Sequence, residues 1–126
     1  MNGLHILAEF HACAGARCLL TNADALAALC RDVCRVAGLS PVAEAFHQFQ
    51  KPGKEGGAAG ATGAIVLAES HLAIHTWPEL DGVTLDLYVC NFSQDNRAAA
   101  EQAFVALREA FVPQRVERRD ILRGQP

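Results

Sequence analysis

The chain has no strong excess of either charge. Its 126 residues carry 11 Lys and Arg against 14 Asp and Glu, a formal net charge of −3, with no block of like charges. Nucleic-acid binding needs a clustered basic surface, so it is set aside as a first reading. No apolar stretch approaches the roughly 20 residues that cross a bilayer, and Met1-Asn2-Gly3-Leu4-His5 lacks the basic-then-apolar order of an export signal. The expected location is therefore the cytoplasm, off the membrane. There is no CxxC pair among Cys13, Cys18, Cys30, Cys34 and Cys90, and the odd set argues against both a disulfide framework and a zinc ribbon. Reduced thiols are expected. The glycine-rich segment 53–63 contains neither GxGxxG nor a P-loop pattern, which removes the usual phosphate cradles.

About half of the residues are apolar and one-fifth charged, a balance that suits a single domain, residues 1–126, with a modest core. Leu4 to Phe10 alternates like a strand, with Leu4, Ile6 and Ala8 on one face and His5, Leu7 and Glu9 on the other, before a break at Ala12 to Gly15. From about Asn22 to Ala37 the period turns helical. Thr21 or Asn22 can cap the start, Leu26, Leu29, Val33 and Val36 form a stripe, and Gly38 suits the stop, while Cys18 precedes it in a loop. Pro41 to Gln50 reads as a second strand, and Gly53 to Gly63 as a loop.

Strands follow near Ala64 to Ala68, His71 to Trp77 and Val83 to Cys90. A second helix runs from an Asp95 cap to Phe111, with Ala100, Phe104, Leu107 and Phe111 buried; Pro113 ends it, and Val116 to Leu122 can form a last strand. Two main helices among several hairpin-like strands predict an α+β, two-layer sandwich: a largely antiparallel sheet with the helices on one face.

The most specific string is Ala68-Glu69-Ser70-His71-Leu72-Ala73-Ile74-His75-Thr76-Trp77-Pro78-Glu79, followed by Cys90 at the end of a strand-like segment. A Glu-Ser dipeptide alone is usually a turn. Glu-Ser-His, then His-Thr-Trp-Pro-Glu, then Asp86 and Cys90 at matching spacings resembles the self-processing site of the prokaryotic S-adenosylmethionine decarboxylases. The resemblance extends from His5 to roughly Glu117.

That resemblance implies cleavage between Glu69 and Ser70, giving a β chain of residues 1–69 and an α chain of residues 70–126. The Ser70 hydroxyl attacks the Glu69 carbonyl and turns the amide into an ester. Elimination then leaves a dehydroalanine, which hydrolyses to a pyruvoyl group and ammonia. Ser70 thus becomes a covalent pyruvoyl cofactor that forms a Schiff base with substrate, and no external cofactor is needed. His75 matches the residue that moves a proton during processing, a task that imidazole suits at neutral pH. Positions 70 and 75 fall on opposite faces of a strand, so a bend between them, or approach through the Ser70 backbone, is expected.

Cys90, sharing a strand face with Asp86 and Tyr88, matches the proton donor that quenches the carbanion after decarboxylation. Thr62, eight positions before Ser70, stands where the family usually has a processing serine. Phe49 matches an aromatic that stacks on adenine, Glu79 an acid that holds ribose hydroxyls, and Glu9 an acidic group near the site; Cys13 reads as structural. His71 and His75 lie i, i+4, but on a strand, without an HExxH glutamate or a third ligand, so no metal is expected.

The implied activity is decarboxylation of S-adenosylmethionine to the aminopropyl donor for spermidine, by a homodimer of processed protomers, (αβ)₂, that buries the sheet's free face. Two readings compete. One is a pyruvoyl paralogue acting on ornithine or arginine, suggested by the long segment Gln50 to Ala61 and by Val89-Cys90-Asn91 where the family commonly has Thr-Cys-Gly. The other is an unprocessed, non-catalytic binding homologue.

Overall fold

The computed structural model describes residues 2–50 and 59–124. Its elements are β1 (Asn2–Cys13), α1 (Cys18–Thr21), α2 (Ala23–Val36), β2 (Pro41–Gln48), β3 (Ala61–Leu67), β4 (His71–Trp77), a 3₁₀ turn (Pro78–Leu80), β5 (Gly82–Cys90), α3 (Arg97–Phe111) and β6 (Pro113–Gly124). The six strands form one sheet in the order β2-β3-β4-β5-β1-β6, and every neighbouring pair is antiparallel. The expected α+β sandwich is what forms.

Alternation along the strands sorts side chains between two environments. Leu4, Ile6, Ala8 and Phe10 of β1, Leu72 and Ile74 of β4, and Val83, Leu85, Leu87 and Val89 of β5 are buried beneath the helices. Phe10 is the hub. Its ring meets Phe104 at 5.8 Å and Phe111 at 6.0 Å, tying β1 to the middle and the C-terminal end of the buried α3 stripe. The opposite face carries His5, Leu7, Glu9 and His11, with Thr84, Asp86, Tyr88 and Cys90 beside them and His71, Ala73, His75 and Trp77 beyond.

α2 starts where the Asn22 side chain accepts a bond from Ala25 N at 2.9 Å. It stops at Gly38, whose φ of +89° lets Leu39 N reach back to Cys34 O at 2.9 Å. Its buried stripe is rotated from the expected one. Leu26 and Val33 are buried, but Val36 is 75% exposed, and Cys30 and Cys34 take the inward positions as small hydrophobes. Burial pushes both thiols up, that of Cys34 to about 11.

Several boundaries also shift. β1 and β6 are longer than the alternation indicated because they pair with each other from Asn2↔Gly124 to Cys13↔Pro113. Cys18 opens the short helix α1 rather than lying in a loop. Ala61, Thr62 and Gly63 belong to β3, paired with β2 as Gln48↔Ala61, His47↔Thr62 and Phe46↔Gly63, so they are not loop residues. The remainder of the expected loop falls largely on residues 51–58, outside the described residues. α3 begins at Arg97 after Asn96, and Asp95 serves it from one position further out, accepting Arg97 N at 3.0 Å. Asn96 cannot cap because its amide is engaged elsewhere, as described below.

Candidate active site

The Glu69–Ser70 bond lies in the turn between β3 and β4. Leu67 N closes the turn by donating to Ser70 O at 2.9 Å, and Ala68 N donates to Ser40 O at 3.0 Å. The Glu69 carboxylate accepts from the Ser93 hydroxyl. A cleft of about 210 Å³ lies here, lined by Gly38 to Ser40, the turn itself, and Ser93 to Asn96 excluding Asp95.

The β4–β5 ladder ends at His71↔Tyr88. One further step in the same register would set Glu69 opposite Cys90. The chain turns instead, and Cys90 N donates to the Ser70 hydroxyl oxygen at 3.2 Å. Ser70, Cys90 and Asn96 are all buried, at 8%, 6% and 7% exposure. The structure thus brings two of the expected residues, Ser70 and Cys90, into contact.

Around Cys90, the free face of the sheet carries an aromatic and histidine cluster. The Tyr88 ring packs over Gly3, where an added Cβ would come within 2.7 Å of it. His71 lies 5.5 Å and His5 6.3 Å from the same ring, and the Arg123 guanidinium sits 4.8 Å from its centroid. Burial, followed by a hydrogen bond with the Cys90 sulfur, raises the phenol pKa, which keeps Tyr88 neutral beside the thiol. His71 is pushed below the ordinary imidazole range, first by desolvation and then by His5, with Asp86 opposing. His5 itself meets Asp86 at 3.1 Å.

A second group occupies the other end of the same face. Thr62 pairs with His75 across β3 and β4, hydroxyl against imidazole Nδ1. His75 is opposite Thr84, and Thr84 opposite Glu9, so His47, Thr62, His75, Thr84, Glu9 and Glu117 form one row across the sheet. Trp77 reaches Thr84, indole N–H to hydroxyl at 3.5 Å. Glu79 follows in the 3₁₀ turn, exposed, and Phe49 follows β2, its ring 4.9 Å from His47. A groove of about 470 Å³ runs along this face past Leu7, Glu9, Thr84, Asp86 and Glu117.

The bend expected between Ser70 and His75 is not present. β4 pairs with β5 in unbroken register from His71 to Trp77. At about 3.4 Å per residue, His75 stands about 17 Å along the strand from Ser70, and Thr84, its neighbour, about 20 Å from Cys90. Within one chain, Ser70 and Cys90 form one group; Thr62, His75, Phe49, Glu79 and Glu9 lie in another.

His71 and His75 do not converge on a shared ligand position, being separated by two register steps along β4. Among the described residues, Glu9, His11 and Glu117 offer donor atoms within 4.8 Å of one another, though Glu117 is already paired with Arg115. Sequence reasoning missed Asn96 and Ser93. A polar residue ahead of a helix reads only as a cap, and their partners Cys90 and Glu69 are defined by the packing of the 91–96 loop. Tyr88, two residues before Cys90, was legible as a neighbour by alternation alone.

A β-meander flanked by helices on one face holds a serine turn against a cysteine-ended strand beside a cleft, which sets a hydroxyl and a thiol-bearing residue together as an enzyme site requires. Residues 4–124 match the family described as S-adenosylmethionine decarboxylase. An S-adenosylmethionine decarboxylase proenzyme from Picrophilus torridus is 33% identical over 122 residues, covering 97% of this chain and 84% of the relative. A protein of the same description from Sulfurihydrogenibium is 31% identical over 124 residues, 98% of this chain and 86% of its own. The crystal structure of the adenosylmethionine decarboxylase from Aquifex aeolicus superposes with a TM-score of 0.80 at 27% identity, covering 98% of this chain and 92% of that one. The chain belongs to the S-adenosylmethionine decarboxylase family, a family of enzymes.

Proposed function

We propose that the chain is a proenzyme that cleaves itself at Glu69–Ser70 into residues 1–69 and 70–126, and that the processed protein decarboxylates S-adenosylmethionine to the aminopropyl donor for spermidine. The observation that carries this reading is the contact between Ser70 Oγ and Cys90 N in a buried turn. A hydroxyl held in place next to its own peptide bond is what serinolysis requires. The same contact sets the thiol-bearing residue beside the position that a pyruvoyl group would occupy, so the residues present fit that group. Once formed, a pyruvoyl group supplies the electron sink for the pair left by departing carbon dioxide.

The chain's own residues then divide the remaining work. Cys90 gives a proton to the substrate α-carbon. Phe49 offers a ring face to adenine and the sulfonium, Glu79 accepts from ribose hydroxyls, and Glu9 lends acidity to the groove between them. Thr62 orients His75, which moves the processing proton. Because that group lies about 17 Å from Ser70 within one chain, the reading requires a second copy laid head to tail across the free face. Val66, Trp77 and Ile121 are exposed apolar side chains on that face and have reason to be covered. This is the (αβ)₂ dimer, with each site built from both chains. No helix among the described residues is long and apolar enough to cross a membrane, and we place the enzyme in the cytoplasm.

The deciding experiment is an intact mass of the purified protein together with release of labelled carbon dioxide. Two fragments, the smaller with a blocked N-terminus, and turnover of S-adenosylmethionine support the reading, with Ser70→Ala remaining one inactive chain. A fully active uncleaved protein would overturn processing, and an uncleaved inactive one would favour the binding homologue. A cleaved protein that turns over only ornithine or arginine would establish the paralogue.

A further inference from the structure

We propose that the backbone N–H of Cys90 stabilises the leaving oxygen in the elimination step of self-processing, and that Asn96 is the positioning residue that holds it there. The inference rests on cleavage at Glu69–Ser70. In the first step Ser70 Oγ bonds to the Glu69 carbonyl carbon, the C–N bond breaks, and the hydroxyl proton passes to the freed Ser70 amine, giving an ester. In the second a base removes the Ser70 α-proton, the Cβ–Oγ bond breaks, and its electron pair stays on Oγ. That oxygen becomes part of the new Glu69 carboxylate while residue 70 becomes dehydroalanine. Negative charge therefore develops on Oγ, and Oγ is the atom to which Cys90 N already donates at 3.2 Å. A fixed amide aimed at a developing charge in a buried site needs no reorganisation during the reaction.

Asn96 supplies the fixing. Its Nδ2 donates to Cys90 O at 2.8 Å, while its backbone N donates to Asn91 Oδ1 at 2.8 Å and its Oδ1 accepts from Gln94 Nε2 at 2.9 Å. A carbonyl can only accept, so the amide's orientation is set by its partner. Asn96 grips the carbonyl of the Cys90–Asn91 peptide, and the N–H of the adjoining Val89–Cys90 peptide faces the turn, so holding the first plane limits rotation of the second about the Cys90 α-carbon. Asn91, next along the chain, is anchored by its own N–H to Asn2 O at 2.8 Å. This explains why a buried asparagine at the entry to α3 leaves the helix uncapped by its own side chain.

The test follows the ester. Purified wild type, Asn96→Ala and Gln94→Ala are incubated as freshly made proenzymes, with and without neutral hydroxylamine, and read by mass spectrometry. Hydroxylamine splits an accumulated ester into a chain ending in Glu69 hydroxamate and one beginning with unmodified Ser70. Loss of a whole oxyanion donor costs about 10²–10³ in rate; a loosened one should slow fragment formation roughly tenfold. Asn96→Ala should accumulate hydroxylamine-sensitive chain, and Gln94→Ala, exposed and thus safe for folding, should do so to a smaller degree. Both variants processing like wild type would overturn the proposal, as would slowed processing with no hydroxylamine-sensitive species. If Asn96→Ala does not fold, the Gln94→Ala result decides in the same way. A wild type that never cleaves would instead remove the processing reading itself.

Discussion

Thr62 and His75 face each other directly across β3 and β4, and both stand several register steps from the Glu69–Ser70 turn. The pair is well placed to move a proton but is out of reach of its own chain's serine. This has a consequence in mixed dimers. If the site is built from both chains as proposed, co-expression of Ser70→Ala with His75→Ala chains should yield cleavage of the His75→Ala chain, whose Ser70 would meet an intact His75 from the twin. His75→Ala expressed alone should remain uncut. Differently tagged chains and mass spectrometry read the outcome, and an uncut His75→Ala chain in mixed dimers would assign His75 no role in trans.

In the proposed mechanism Cys90 serves both steps through different atoms, its backbone N–H in processing and its thiol in turnover. Cys90→Ala keeps the N–H that reaches Ser70, so cleavage should proceed at least in part. Decarboxylation should fall about 10²–10⁴-fold, the usual contribution of a positioned acid. Wild-type turnover by the processed variant would free the thiol from that role.

The acid limb of the stability profile should report His71. Its folded pKa is below the ordinary value of 6.5, so on acidification the unfolded chain takes up the proton first. Neutral His71 therefore costs nothing above pH 6.5, and folding loses stability progressively as pH falls from there through the lowered folded value. Urea midpoints measured between pH 7.5 and pH 5 should decline less steeply in His71→Gln than in the wild type. An identical slope in the variant would show that His71 does not carry the effect.

Much of this architecture was legible in the sequence, for identifiable reasons. β4 and the first part of β5 bury one face, so period-two alternation marked them and placed Cys90 on the face of Tyr88. The α2 cap at Asn22 and stop at Gly38 were readable because the residue types perform those tasks locally. The α2 stripe was not, because cysteines at 30 and 34 behave as core methyl-sized groups rather than as polar thiols. Strand ends at Asn2 and Ala61 were missed since they form only against partners distant in the sequence. For the site, alternation showed that Ser70 and His75 differ in face. The unbroken ladder that keeps them apart, and the grip of Asn96 on Cys90, depend on tertiary pairing that no local pattern encodes.

In the proposed site Glu79 sets the choice of substrate. It lies in the 3₁₀ turn after Trp77, at the same end of the sheet as Phe49 and His75 and away from the Glu69–Ser70 turn. Glu79→Gln retains the shape but removes the charge that strengthens bonds to ribose hydroxyls, bonds worth about 1.5–3 kcal/mol when one partner is charged. The variant should still cleave at about the wild-type rate, because holding ribose takes no part in serinolysis. Its kcat/KM for S-adenosylmethionine should drop about tenfold, since the glutamine oxygen still accepts and only the increment due to charge, about 1–1.5 kcal/mol, is lost. Parallel assays with ornithine and arginine set the control, since neither has a ribose to lose. An unchanged kcat/KM for S-adenosylmethionine would show that ribose is held elsewhere, and a loss of cleavage would place Glu79 in processing instead.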